Sequence, residues 1–99
     1  MKRLEIYPEA DLEADAAFNR YWYESQPAAL NFDQNLRAAL QRLRRNPREG
    51  APYRHGTRRI LLHRYPYFVV FRELPEVIQI IAIAHGKRRP GYWKKRLKQ

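Results

Sequence analysis

From Lys2 to Tyr7 (KRLEIY) the apolar residues Leu4 and Ile6 alternate with charge, a period of two that predicts a short strand. The period then changes. Pro8 suits the first turn of a helix, where its missing N–H leaves no bond unmade, and Glu9, Asp11 and Glu13 suit the positive end of the helix dipole. Ala10, Ala14, Ala17, Phe18 and Tyr21 recur at three- and four-residue spacing and form one apolar stripe. Ser25-Gln26-Pro27 interrupts it. Ala29, Phe32, Leu36, Ala39, Leu40 and Leu43 repeat the spacing in a second helix, with Arg37, Arg42, Arg44 and Arg45 largely outside the stripe. Asn46-Pro47 closes that helix, because proline pushes the preceding residue out of the α region. A break this short folds the two helices into an antiparallel hairpin over 9–45, with Phe18, Phe32, Leu36 and Leu40 expected in the core.

A turn-rich stretch, Pro47 to Gly56, leads into three β-rich runs: Arg58–Arg64, Tyr67–Arg72 and Val77–His85. Tyr65-Pro66 and the segment Glu73–Glu76 separate them, connections short enough for a meander. In the last run Ile78, Ile80, Ala82 and Ala84 are expected on one face and Val77, Gln79, Ile81, Ile83 and His85 on the other. Both sets are largely apolar, which predicts a central strand. The tail, 86–99, is basic and is expected to be irregular or a short helix. The order β-α-α-β-β-β predicts an α+β domain, a helical hairpin packed on one face of a small, mainly antiparallel sheet.

A length of 99 residues allows one domain, 1–99, and no linker or repeat divides it. There is no cysteine, so neither a disulfide nor a thiolate zinc site is available, and His55, His63 and His85 are not spaced as metal ligands; no metal and no cofactor are expected. Neither a membrane-spanning run nor a signal-peptide pattern is present, which predicts a cytoplasmic protein without a membrane partner. The charge is unevenly placed. Residues 1–36 carry three Lys or Arg against seven Asp or Glu, a balance of −4, whereas residues 37–99 carry seventeen against three, a balance of +14. A field of that sign attracts phosphate or an acidic protein.

Several stretches, taken in order, resemble the ParE/RelE superfamily of toxins from type II toxin–antitoxin systems, to which the plasmid-stabilisation toxins belong. They are Tyr7-Pro8-Glu9-Ala10, the aromatic Tyr21-Trp22-Tyr23, Asn46-Pro47, Tyr65-Pro66-Tyr67 with Val69-Val70-Phe71, and the closing run from Ile81 to Trp93 (IAIAHGKRRPGYW). The resemblance covers roughly Ile6 to Arg96. It implies a toxin held inert by a cognate antitoxin with an acidic segment. RelE-like members of the superfamily cleave messenger RNA on the ribosome; ParE-like members share the fold and poison DNA gyrase without being nucleases.

Cleaving RNA through its 2′-OH needs a base, an acid and cations facing the phosphate. By motif, Arg59 falls on one basic position of the RelE-like enzymes, Arg88 on the arginine after the last strand and Tyr92 on the tyrosine. Two further basic positions fall on Leu61 and Phe68, neither of which can stabilise a phosphorane. That break favours gyrase inhibition. The alternative is a ribosome-dependent endoribonuclease, in which His85 would supply acid–base chemistry beside Arg59, Arg88 and Tyr92; otherwise His85 caps its strand and binds the tail backbone. A third alternative is a non-toxic nucleic-acid-binding domain. The contact surface for target or antitoxin is expected at Arg58, Arg59, Lys87, Arg88, Arg89, Tyr92, Trp93 and Arg96. Trp93 is also the residue expected to pin the tail to the sheet, and Trp22 or Tyr23 the exposed member of the aromatic run.

Overall fold

The computed structural model describes residues 1–98. Strand β1 (Arg3–Ile6) leads into helices α1 (Pro8–Glu24) and α2 (Gln26–Arg45), followed by β2 (Ala51–Pro52), β3 (Arg58–Leu61), β4 (Tyr67–Glu73) and β5 (Val77–His85). The sheet order is β1-β5-β4-β3-β2; β1 runs parallel to β5, and every other pair is antiparallel. Pro8 occupies the first turn of α1. Ser25 ends α1 and caps α2, its hydroxyl accepting from the Ala28 N–H at 3.3 Å, which supplies one of the donors a helix start leaves unpaired.

The hairpin buries its stripe against β5 and β4. Ala10, Ala17, Phe32, Leu36, Ala39 and Leu43 join Val69, Phe71, Ile78, Ile80 and Ile83 in one core. Phe32 sits among Tyr21, Tyr65 and Tyr67, with ring centroids 5.4–5.5 Å from its own. Two expected core residues sit further out. Leu40 is partly buried at the edge of the core, and Phe18 is half-buried outside it, stacked on Trp22 at 5.8 Å. Tyr23 is 90 % exposed and Trp22 41 %.

The expected alternation in β5 holds only to its middle. Val70 pairs with Ala82 but Phe71 with Ile80, so Ile81 is an extra residue, a bulge that shifts the side-chain phase. Cross-strand partners share a face. Ile78, Ile80, Ile83 and His85 therefore lie on the helix side with Glu73, Phe71, Val69 and Tyr67, while Gln79, Ala82 and Ala84 lie on the other. The strand expected over 58–64 stops at Leu61. Arg64 adopts the left-handed conformation (φ 73°), and the Leu62 N–H donates to the Tyr67 carbonyl at 3.0 Å, which turns the chain early. The turn-rich stretch before it also holds the two-residue edge strand β2.

Candidate interaction site on the basic face

On the face of the sheet away from the helices, Tyr53 and His55 meet the tail beside Phe68. Trp93 is 1 % exposed, with Tyr53 and His55 each 5.9 Å away between ring centroids. The tail then forms a short 3-10 turn, Lys94–Lys98.

Beyond Ile80 the outer edge of β5 loses its neighbour, because β1 ends at Ile6 and only the Tyr7 N–H follows, donating to the Ile80 carbonyl at 3.0 Å. An open edge leaves backbone groups without partners. Two side chains replace the missing strand: Arg96 donates to the Ile81 carbonyl at 3.1 Å, and Glu13 accepts from the Ile83 N–H at 3.0 Å. Glu13 also binds Arg96 through both guanidinium nitrogens, at 2.9 and 3.0 Å, and accepts the Tyr92 hydroxyl at 2.5 Å. One carboxylate on α1 thus fastens the tail. Burial pushes the Tyr92 phenol far above the usual tyrosine range, and the hydrogen bond to Glu13 pushes it further. Burial opposes the Arg96 charge, but the Glu13 hydrogen bond and charge outweigh it and raise its pKa.

Above this clasp lies a recess of about 100 Å³ bordered by Tyr53, Arg59, Phe68, His85, Arg88, Arg89, Tyr92 and Trp93. The fold therefore brings together Arg59, His85, Arg88 and Tyr92 from distant parts of the chain. Their roles differ. The Arg59 guanidinium lies 4.5 Å from the Tyr53 ring and 5.0 Å from the Phe68 ring, and that of Arg88 lies 3.8 Å from Tyr92. His85 borders the recess, but it pairs with Tyr67 on the helix side, their rings edge to face at 4.9 Å, whereas Arg59 pairs with Val70 on the opposite face. The Lys87 N–H donates to His85 Nδ1 at 3.0 Å, which leaves the neutral ring its hydrogen on Nε2 and no free lone pair to act as base. Burial lowers the His85 pKa, and Arg20 and Lys87 lower it further.

The other expected contact residues are scattered. Arg58 lies on the helix side and donates to the Gly50 carbonyl at 2.7 Å; Lys87 is exposed beside the recess; Arg96 is committed to the clasp. Trp93, at 1 % exposure, offers a partner almost no surface while the tail is seated. Leu61, 62 % exposed, stands directly opposite Phe68 in the β3–β4 register. Glu13 and Tyr53 escaped the sequence reading, since nothing in a helix-start acid or a loop tyrosine signals a partner far away in the chain.

A second concavity, about 480 Å³, lies between the hairpin and the sheet. It is lined by apolar residues that include Ile6, Phe18, Leu30, Leu36 and Ile80, with Asp11, Asp15 and Asp33 also lining it.

The family model described as "ParE toxin of type II toxin-antitoxin system, parDE" matches residues 4–90. The chain belongs to the ParE toxin family. This ParE-family chain is 29 % identical over 92 residues to Toxin ParE2 from two Mycobacterium tuberculosis strains, CDC 1551 and H37Rv, covering 91 % of this chain and 87 % of each relative. It is similar to a chain in the structure of the chromosomal ParDE TA system from P. aeruginosa, with a TM-score of 0.75 and 27 % identity, over 86 % of this chain and 96 % of that one. The observed layout of a hairpin on a mixed sheet, an α+β fold as expected, matches that of the chain from the ParDE structure. Among the described residues, no helix is long and apolar enough to cross a membrane.

Proposed function

We propose that this ParE-family toxin inhibits DNA gyrase and is neutralised by a cognate antitoxin bearing an acidic segment, both in the cytoplasm. One observation carries the choice of target. Where RNA cleavage would need cations, the β3–β4 surface presents the facing pair Leu61 and Phe68, which cannot stabilise charge on a phosphorus centre. The rival, ribosome-dependent RNA cleavage, draws on the convergence of Arg59, His85, Arg88 and Tyr92 at one recess. Its acid and base are poorly provided for. The Tyr92 hydroxyl is bound to a carboxylate and is a weaker acid than an ordinary phenol; His85 Nδ1 is already occupied.

The antitoxin fits two surfaces. Apolar anchors suit the groove between hairpin and sheet, whose aspartates disfavour an acidic segment; the acidic segment suits the basic residues along the sheet edge and the tail. Binding should weaken with salt, because exposed charges farther apart than roughly 8–10 Å are screened near physiological ionic strength. Toxin that remains fully active with its cognate antitoxin present would sink this part.

The target is tested by inducing the chain alone, assaying purified gyrase for supercoiling and mapping cuts in ribosome-bound message. Supercoiling should be inhibited and message left intact. Prompt codon-positioned cuts that disappear in His85→Ala, with the variant still folded, would overturn the gyrase reading.

A further inference from the structure

We infer that the recess at Arg59, Arg88 and Arg89 is a phosphate-binding site, and that through it the toxin grips the backbone of DNA without reading its sequence. Three arginines from two separated segments, β3 and the turn after β5, border a space of about 100 Å³ that no Asp or Glu lines among the described residues. The nearby acid, Glu13, is saturated by Tyr92, Arg96 and the Ile83 N–H. Two of the three cations are already ordered without being neutralised. Arg59 is held by the rings of Tyr53 and Phe68, and Arg88 by the ring of Tyr92. Contact with a ring face leaves the N–H edges of a guanidinium free to bind oxygen, and a cation ordered in advance loses less entropy when a ligand arrives.

The geometry favours a phosphate over a carboxylate. Three forked donors reaching in from separate segments suit the tetrahedral phosphodiester, whose two anionic and two ester oxygens point in different directions, better than a carboxylate, whose two oxygens lie in one plane. The same stacking also limits base stacking, so the grip falls on the phosphate. The rings of Tyr53, Phe68 and Tyr92 are already in contact with guanidinium groups, and Trp93 is 1 % exposed, so the recess offers little open aromatic surface on which a base could stack. Contacts of this kind position a protein on nucleic acid and carry no sequence information.

The test uses a Trp22→Phe background, in which Trp93, at the wall of the recess, is the sole indole and reports both folding and occupancy. A short duplex DNA, inorganic phosphate and a glutamate-rich peptide are titrated separately, with no gyrase present, so the outcome is independent of the gyrase proposal. DNA of two unrelated sequences should bind equally, and phosphate should compete. Arg88→Gln and Arg59→Gln should each weaken DNA binding roughly 10-fold, and should reduce the slope of log affinity on log salt by about 0.9 per lost contact. Arg45→Gln removes the same charge on α2 beside a different surface and should change binding little. Equal losses in Arg45→Gln and Arg88→Gln would mean diffuse attraction and no site. Binding of the peptide abolished by the recess variants, with DNA binding unaffected, would make it a carboxylate site and overturn the inference; so would failure of DNA and phosphate to bind.

Discussion

Replacing Glu13 by glutamine removes one charge while keeping the size and shape of the side chain. Glu13 and Arg96 are each 15 % exposed at the side chain, so their pairing is neither a solvent-screened surface contact nor fully buried. Breaking a buried ion pair costs about 3–5 kcal/mol because the surviving charge stays buried. Arg96 sits on a tail that can swing into water, which limits the loss to about 2–3 kcal/mol, near the value of hydrogen bonds to charged groups. The tail has a second anchor. An indole buries about 200 Å², worth about 5 kcal/mol at roughly 25 cal/mol per Å² and an upper estimate, so Trp93 should stay seated while the residues after it loosen. For a domain of this length, 2–3 kcal/mol lowers Tm by about 10–20 °C. Thermal melts followed by circular dichroism measure the loss, and a cycle with Arg96→Gln isolates the pairwise part. Trp93 emission in the Trp22→Phe background reports the anchor. Melting within about 2 °C of the parent would refute the energetic argument, and a red-shifted Trp93 would refute the separation into two anchors.

Phe32→Ala, at a site 1 % exposed among three tyrosines, should cost about 3–5 kcal/mol in urea unfolding, and a loss below about 1 kcal/mol would deny Phe32 its place at the centre of the core. Gly50→Ala would place a methyl 2.5 Å from Phe71 Cζ and 3.2 Å from the Arg59 carbonyl; Phe71 is fully buried, so overpacking of about 1–3 kcal/mol is expected, and an unchanged urea midpoint would contradict that contact. His85 resists protonation in the fold, so the unfolded chain binds more protons as pH falls below the ordinary value of 6.5. Its contribution to stability is complete above that pH and is lost as pH drops through the lowered folded value. The His85→Gln variant should show a flatter urea midpoint across that window, and an identical profile would exclude His85 as the source.

The elements were legible in the sequence because each follows from a local period or a local breaker. The three- and four-residue spacing of Phe32, Leu36, Ala39 and Leu43 survives in α2, and Pro8 and Asn46-Pro47 set helix boundaries wherever they occur. The basic stretch from Lys87 to Arg96, and the order of pieces that resembles the ParE/RelE toxins, were equally available. The side-chain faces of β5 were not. A single extra residue at Ile81 moves Ile83 and His85 onto the helix side, and the bulge exists only in the pairing with β4. Pairing alone makes β1 a parallel neighbour of β5 that stops at Ile6, and so leaves an edge for side chains to complete. In sequence Glu13 is one of several acids at the start of a helix, with a dipole benefit and nothing more. Only the packing of α1 against that unfinished edge brings it to Ile83, Tyr92 and Arg96, across separations of 70 to 83 residues. Periodicity decides what a segment becomes; which distant charges meet depends on where sheet edges end, and that is a property of the assembled fold.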